Sequence, residues 1–301
     1  MMYSRKYRNL SGMTGMLLML LLAAGCIFDD LSGCFRGLDL RVALHGSVPG
    51  GEESVRDVRL YIFDDKDLLL DIVPVSISQT VRLDYRGVPR LRCVAWCNTG
   101  DGGIRVSPLT VGDAFSRGTV SLEPLVATRS DGTTYVSPPD LFYGELEIEN
   151  TTASGSSAEH KITVSRMVAS MNITVRGLEL LAGTSAGVFS LNVQGTPDRI
   201  DFGGIYGGES ASYAPAGAFD AKRDYVVPEF RLFPASEGKG LTIGIFHDGE
   251  LLRSVTAGSD GLPIAPVAGK TLHVLINLES GVDVEMVVTG WGENHIWKEY
   301  N

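Results

Sequence analysis

Short runs of alternating apolar and polar residues recur along most of this chain. Each ends in glycine, proline or a small polar cluster, and together they leave little room for helices. Leu38-Asp-Leu-Arg-Val-Ala-Leu44 alternates with a period of two, the spacing that sends successive side chains to opposite faces of a strand. Val55 to Phe63 and Leu68 to Val73 flank Asp64-Asp-Lys-Asp67, giving strand, polar turn and strand. Val81 to Tyr85, Leu91 to Trp96, Val120 to Leu125 and Leu141 to Ile148 follow in the same style. Many short strands joined by Gly/Pro turns predict an all-β protein built from sandwiches.

Glu149 to Glu159 holds no large apolar residue and reads as a loop. Strands resume over Lys161 to Val168 and Ala169 to Val175. They continue over Val188 to Val193, Tyr225 to Leu232, Leu241 to Phe246, Leu251 to Val255, Thr271 to Leu278 and Val282 to Thr289. The loop therefore divides the chain into an N-terminal β-sandwich domain over 26–158 and a C-terminal one over 159–301. Both fall within the usual range of roughly 100–200 residues. Ser165-Arg-Met167 is the other candidate junction.

Residues 1–25 stand apart as a signal peptide. Arg5, Lys6 and Arg8 precede an apolar stretch, Met16 to Ala24, that is far short of the roughly 20 residues needed to span a bilayer. The junction Leu22-Ala-Ala-Gly-Cys26 resembles the bacterial lipobox, in which the cysteine thiol takes a diacylglycerol and becomes the new N-terminus. Two or three acyl chains on Cys26, palmitate among them, would hold the protein stably on a membrane at about 0.8 kcal/mol per buried methylene. No later stretch is apolar for 18 residues, so anchoring rather than spanning is expected. Ile27-Phe-Asp-Asp30 also resembles the acidic surface-export signal of some Gram-negative anaerobes; a solvated acidic tether is the other reading.

The whole chain carries 36 acidic and 26 basic residues, a net charge of −10. Three of the basic residues lie in the leader. The remainder, with 23 basic against 36 acidic residues, stands at −13. A polyanion needs a basic face, so nucleic acid is not an expected partner.

Four cysteines occur. With Cys26 lipidated, Cys34, Cys93 and Cys97 remain in an oxidising compartment. Cys93 and Cys97 share a predicted strand, where positions four apart are roughly 13 Å apart. A disulfide requires Cα atoms within about 7 Å, so these two do not pair with each other. Cys34 bonded to one of them is the expected disulfide, and the residues leave open which. A metal site is not expected, because the five histidines (45, 160, 247, 273 and 295) are scattered away from the cysteines.

The remaining motifs carry little chemistry. Gly183-Thr-Ser-Ala-Gly187 matches G-x-S-x-G, but the β/α alternation that gives such a serine its strained strand-to-helix turn is missing. A hydrolase using Ser185 is the third-ranked reading. Asp64-Asp-Lys-Asp67 lacks the glycine and distal glutamate of an EF-hand loop. Gly203-Gly-Ile-Tyr-Gly-Gly208 neither follows a clear strand nor opens a helix, as phosphate cradling would need. Trp96, Trp291 and Trp297 are expected in the core rather than on a sugar platform. No catalytic constellation and no cofactor are expected.

Several segments in order carry a family resemblance. They are Asp30-Leu-Ser-Gly-Cys34, Val58-Arg-Leu-Tyr-Ile-Phe-Asp64, Cys93-Val-Ala-Trp-Cys-Asn98, Asp140-Leu-Phe-Tyr-Gly144, Val164-Ser-Arg-Met-Val-Ala-Ser-Met-Asn-Ile-Thr-Val175 and Val288-Thr-Gly-Trp291. Nearly the whole chain resembles FimB-type fimbrial anchor subunits of the fimbrillin superfamily. Cys97 departs from the pattern, where a small residue such as glycine is expected. The resemblance implies two tandem transthyretin-like β-sandwich domains and a lipid anchor in the outer membrane. It further implies a non-enzymatic role at the base of a fimbria, attaching it and limiting its length, with stalk subunits as partners. Such subunits join by β-strand donation. The candidate strand runs from Asp283 to Trp291, with Val284, Met286, Val288 and Trp291 as partner-binding residues. A surface lipoprotein that binds glycans or adhesin ligands, without a polymer partner, is the alternative.

Overall fold

The computed structural model describes residues 37–46, 51–125, 133–149, 159–236 and 238–297. Through the first half the strands are β1 (Leu38–Leu44), β2 (Val58–Phe63), β3 (Leu69–Val75), β4 (Thr80–Leu83), β5 (Arg90–Cys97), β6 (Ile104–Val106), β7 (Thr119–Leu122) and β8 (Phe142–Glu149). Then follow β9 (Glu159–Arg166), β10 (Ala169–Arg176), a five-residue helix α1 (Leu178–Ala182), β11 (Phe189–Asp201), β12 (Tyr206–Tyr213), β13 (Ala218–Phe219), β14 (Tyr225–Leu232), β15 (Thr242–His247), β16 (Glu250–Val255), β17 (Lys270–Asn277) and β18 (Asp283–Gly290). The all-β expectation holds, with α1 the one α-helix among the described residues.

Seven strands form one sheet in the order β3-β2-β5-β8-β9-β1-β4. Every neighbouring pair is antiparallel except β1 with β9, which run parallel from Asp39↔Glu159 to Leu44↔Val164. The sheet folds over on itself. Leu40 and Val42 of β1 and Ile162 and Val164 of β9 share one buried cluster with Leu60 and Ile62 of β2 and with Cys93 and Ala95 of β5. β2 and β5 are buried on both faces, since Tyr61, Phe63, Val94 and Trp96 point away from that cluster into a second one. This explains why their sequences read as nearly unbroken apolar runs rather than alternations.

The second cluster lies between a five-stranded sheet, β13-β14-β10-β17-β18, and a six-stranded one, β16-β15-β11-β7-β6, with β12 also paired to β11. Met171, Ile173 and Val175 of β10 and Val274 and Ile276 of β17 meet Leu191, Val193, Ile243 and Ile245 from the facing sheet. The halves of the chain interlock. β7 comes from the first half, yet Thr119 to Ser121 pair with Asp201 to Arg199 of β11. Phe202, at the end of β11, stands edge-on to Tyr61 at 4.8 Å between ring centres, and Phe63 meets Phe115 at 5.3 Å.

β9 opens the span drawn from residue 159, and its hydrogen-bonding partners are β8 and β1. The chain crosses between sheets at Met167-Val168, after which β10 enters the five-stranded sheet. Gly203 to Gly208 turns out to follow a strand after all. β11 runs to Asp201, and Gly204, at φ +78°, helps turn the chain back into β12. Asp64 closes the β2–β3 turn, its Oδ1 accepting the Lys66 and Leu68 amides at 2.9 and 2.8 Å.

Candidate functional site

The C-terminal strand occupies an edge. β18 pairs antiparallel with β17 along its whole length, from Asp283↔Asn277 to Gly290↔Lys270, and has no strand on its other side among the described residues. Its even-numbered residues turn their backbone groups outward. The Val284 amide donates to Ser259 Oγ at 2.7 Å, the Val284 carbonyl accepts from the Ser259 amide at 2.9 Å, and the Gly290 amide donates to the Glu293 carboxylate at 3.0 Å. By the alternation of an antiparallel ladder, Met286 and Val288 between them also face outward. The edge is thus plugged at both ends, with a two-residue window of open main chain in the middle. Side chains grade along the same strand. Val284 is buried, Met286 packs on the core and Val288 is 53% exposed.

Trp291, just past the strand, is held by a buried arginine. Arg166 ends β9 with its side chain only 6% exposed. Its Nε and Nη2 donate to the two carboxylate oxygens of Asp140 at 2.5 and 2.7 Å. Its guanidinium carbon lies 4.0 Å from the Trp291 ring centre and 4.9 Å from that of Phe142. Asp140 is fixed in turn, since its carbonyl accepts from Asn98 Nδ2 at 2.6 Å. One cation therefore ties the start of β8, the end of β9 and the end of β18 at the crossing between sheets.

A histidine anchors the tail beyond. His273 on β17 is buried beneath β18 and residues 293–295. Asn172 Nδ2 donates to its Nδ1 at 2.9 Å, and its Nε2 donates to Thr289 Oγ1 at 2.9 Å. The His295 ring lies 5.6 Å away and itself meets Trp297 edge-on at 4.6 Å. Burial, then the neighbouring His295, hold the His273 pKa below the ordinary histidine value, against smaller opposing effects of the Glu293 backbone and Glu229.

The match to known proteins runs along the same span. A family model for fimbrillin-A associated anchor proteins Mfa1 and Mfa2 covers residues 31–297. This chain belongs to that family. The major fimbrium anchoring subunit FimB of Porphyromonas gingivalis strain W83 is 28% identical to this anchor-family chain over 293 residues, covering 92% of it and 93% of the relative. The same subunit from strain ATCC 33277 matches equally, at 28% over 293 residues. The fold agrees with that of the fimbrial anchor protein Mfa2 from Porphyromonas gingivalis, at a TM-score of 0.58 and 16% identity over 86% of this chain and 98% of that one.

Membership in this anchor family makes the protein structural rather than enzymatic. The geometry around Ser185 agrees. Its loop joins α1 to β11, the reverse of a strand-to-helix elbow, and Ser185 is exposed. The nearest histidine, His247, bonds the Ala186 carbonyl through Nε2 at 2.8 Å and packs against Gly187 instead. Cys93 and Cys97 are fully buried on β5 and are not bonded to each other. Burial pushes each pKa up to about 12. Cys26 and Cys34 lie outside the described residues. Val284, Met286 and Val288 lie on the β18 edge strand and Trp291 just past it, joined through Arg166 to Phe142, the cross-strand partner of Cys97. Of the three tryptophans expected in the core, Trp96 is there, tilted against Tyr143 at 4.8 Å, whereas Trp291 and Trp297 are only half-buried.

Sequence reasoning did not nominate Arg166 or His273. Both were visible only as polar residues inside apolar runs, Val164-Ser-Arg-Met-Val168 and Thr271-Leu-His-Val-Leu275. A charge or imidazole embedded so must find partners or remain exposed.

Proposed function

We propose that this chain holds a fimbria at the cell surface as its membrane-proximal subunit. What supports this is its match to fimbrium anchoring subunits over nearly their full length, 93% of the first relative. In this reading Cys26 carries the lipid that embeds the protein in the outer membrane, and the opposite end of the chain meets the first stalk subunit. β18 is the coupling element: either a stalk strand adds along its open window, or β18 itself is donated into the neighbour. A subunit bound to the membrane at one end and to a single neighbour at the other would also terminate growth and so limit fimbrial length.

The chain divides, in this reading, into two transthyretin-like sandwiches with the junction at Arg166-Met167, the second of the two boundaries read from the sequence. Cys34 bonded to Cys93 or Cys97 belongs to the same proposal. Cys34 is four residues before Leu38, a reach of about 14 Å at most, and Leu38 packs on the cluster that holds both thiols. Peptide mapping without reductant should find that bond in protein from the cell envelope; Cys34, Cys93 and Cys97 all recovered as free thiols would remove it.

The decisive experiment is Cys26→Ala in the native host. Fimbriae should appear in the medium instead of on the cells. Fimbriae that stay cell-bound at normal length would sink the anchor reading.

A further inference from the structure

A polar cavity of about 350 Å³ opens where the two halves meet. Arg56, Asp101, Gly102 and Gly103 line it from the first half, Ser137 and Asp140 from the segment before β8, and Arg231 from β14. Its charges do not balance. Asp101 is paired with Arg56, and both oxygens of Asp140 are taken by Arg166. Arg231 has no such partner: only its Nε is engaged, donating to the Pro138 carbonyl at 2.9 Å, and no ion pair among the described residues includes it. A partly buried guanidinium with Nη1 and Nη2 unspent and no counter-charge is a bidentate anion receptor.

The site is rigidly built. Ser137 Oγ donates to the Arg231 carbonyl at 2.7 Å and accepts from the Arg231 amide at 3.0 Å, fixing the backbone that carries the arginine. On the opposite wall Gly103, at φ +76°, lies so close that a Cβ there would meet the Ser137 carbonyl oxygen at 2.7 Å. The glycine is what lets the two walls approach.

The structure assigns this cavity to a carboxylate-bearing monosaccharide residue, with the carboxylate on Arg231 and the hydroxyls on the surrounding polar rim. One excess positive charge suits a singly charged carboxylate. A dianionic phosphate would keep one of its charges uncompensated there. The volume lies at the small end of ligand sites, which run from about 300 to 1,000 Å³, and suits one sugar unit. The lining offers carboxylate oxygens and glycine backbone as hydroxyl partners, and little apolar surface for a hydrophobic acid.

Calorimetric titration of the purified full chain in detergent with D-glucuronate tests it, with D-glucuronamide, D-glucose and acetate as comparison ligands. Saturable glucuronate binding is expected, at least tenfold tighter than any of the other three. Arg231→Gln should lose at least tenfold while its melting temperature stays unchanged. The amide comparison uses the unaltered protein, so it holds even where that variant is destabilised. Equal binding of the amide or of glucose removes the carboxylate role, equal binding of acetate removes the sugar, and no saturable binding removes the site.

Discussion

Two buried polar residues carry the junction, and each predicts a measurable cost. Truncating Arg166 to alanine leaves the Asp140 carboxylate, 18% exposed, without its bidentate partner and strips the cation from Trp291 and Phe142. Breaking a buried pair this way costs about 3–5 kcal/mol. Arg105→Ala serves as the control, because Arg105 and Glu123 form an exposed pair, worth less than about 1 kcal/mol. Denaturant midpoints of the two variants should separate accordingly; equal midpoints would mean that Arg166 contributes no more than a surface charge.

His273 sets a pH dependence. Its native pKa lies below the unfolded value of about 6.5, with burial the first cause and His295 the second. The unfolded chain therefore takes up a proton first as pH falls. The stabilisation from a neutral His273 is complete above about pH 6.5 and is lost progressively below it, down to the depressed native pKa. Asn172 and Thr289 bond the ring, and the Glu293 backbone and Glu229 soften the effect without reversing it. Melting temperatures between pH 7.5 and 5 should fall faster for the natural protein than for His273→Gln. Parallel curves would show that His273 does not contribute to the slope.

At the scale of elements, β18 presents two kinds of position. Val288 turns its amide outward and Val287 turns its amide into the β17 ladder opposite His273. Proline cannot donate, so it is tolerated on an edge whose N–H faces solvent and harmful where the N–H is used. Val288→Pro should leave the melting temperature nearly unchanged while abolishing capture of stalk subunits if a strand adds at this window. Val287→Pro should lose a ladder bond, about 1–3 kcal/mol. Normal capture by a folded Val288→Pro protein would exclude strand addition here.

These elements also show what a sequence can disclose. β1, β14, β17 and β18 were readable within a residue or so, β1 by its alternation and β17, buried on both faces, by a nearly unbroken apolar run between polar ends. β11 was read only from 188 to 193, since Gly195 and Pro197 interrupt the pattern. In the structure it continues to Asp201 through register shifts on either side of Thr196 and Pro197. β12, Tyr-Gly-Gly-Glu-Ser-Ala-Ser-Tyr, has too little apolar content to signal a strand and exists because β11 offers it a ladder. The β18 strand was legible, and the topology places it at a sheet edge. The Arg166 clamp was not legible, because Asp140 and Trp291 are remote in sequence and only the closed topology brings them to one guanidinium.

On the scale of the whole molecule, the interlocking of the halves decides how it unfolds. Two independent sandwiches would melt separately. Here β6 and β7 complete a sheet centred on β11, Phe202 fills a socket made by Tyr61, Phe63 and Trp96, and Arg166 bonds across the crossing. The outer face of β2 and β5 is therefore core only while the second half is present. A truncation ending at Arg166 would keep every strand of the seven-stranded sheet yet expose Tyr61, Phe63, Val94 and Trp96 together, a patch of the size that drives association. We expect the intact chain to unfold in one calorimetric transition whose van't Hoff and calorimetric enthalpies agree. The truncation should aggregate or bind a hydrophobic dye strongly. Two resolved transitions in the intact chain, or a monomeric truncation that binds no dye, would show instead that each half closes its own core. If β18 couples to the stalk as proposed, a pull on that end is resisted by both cores at once.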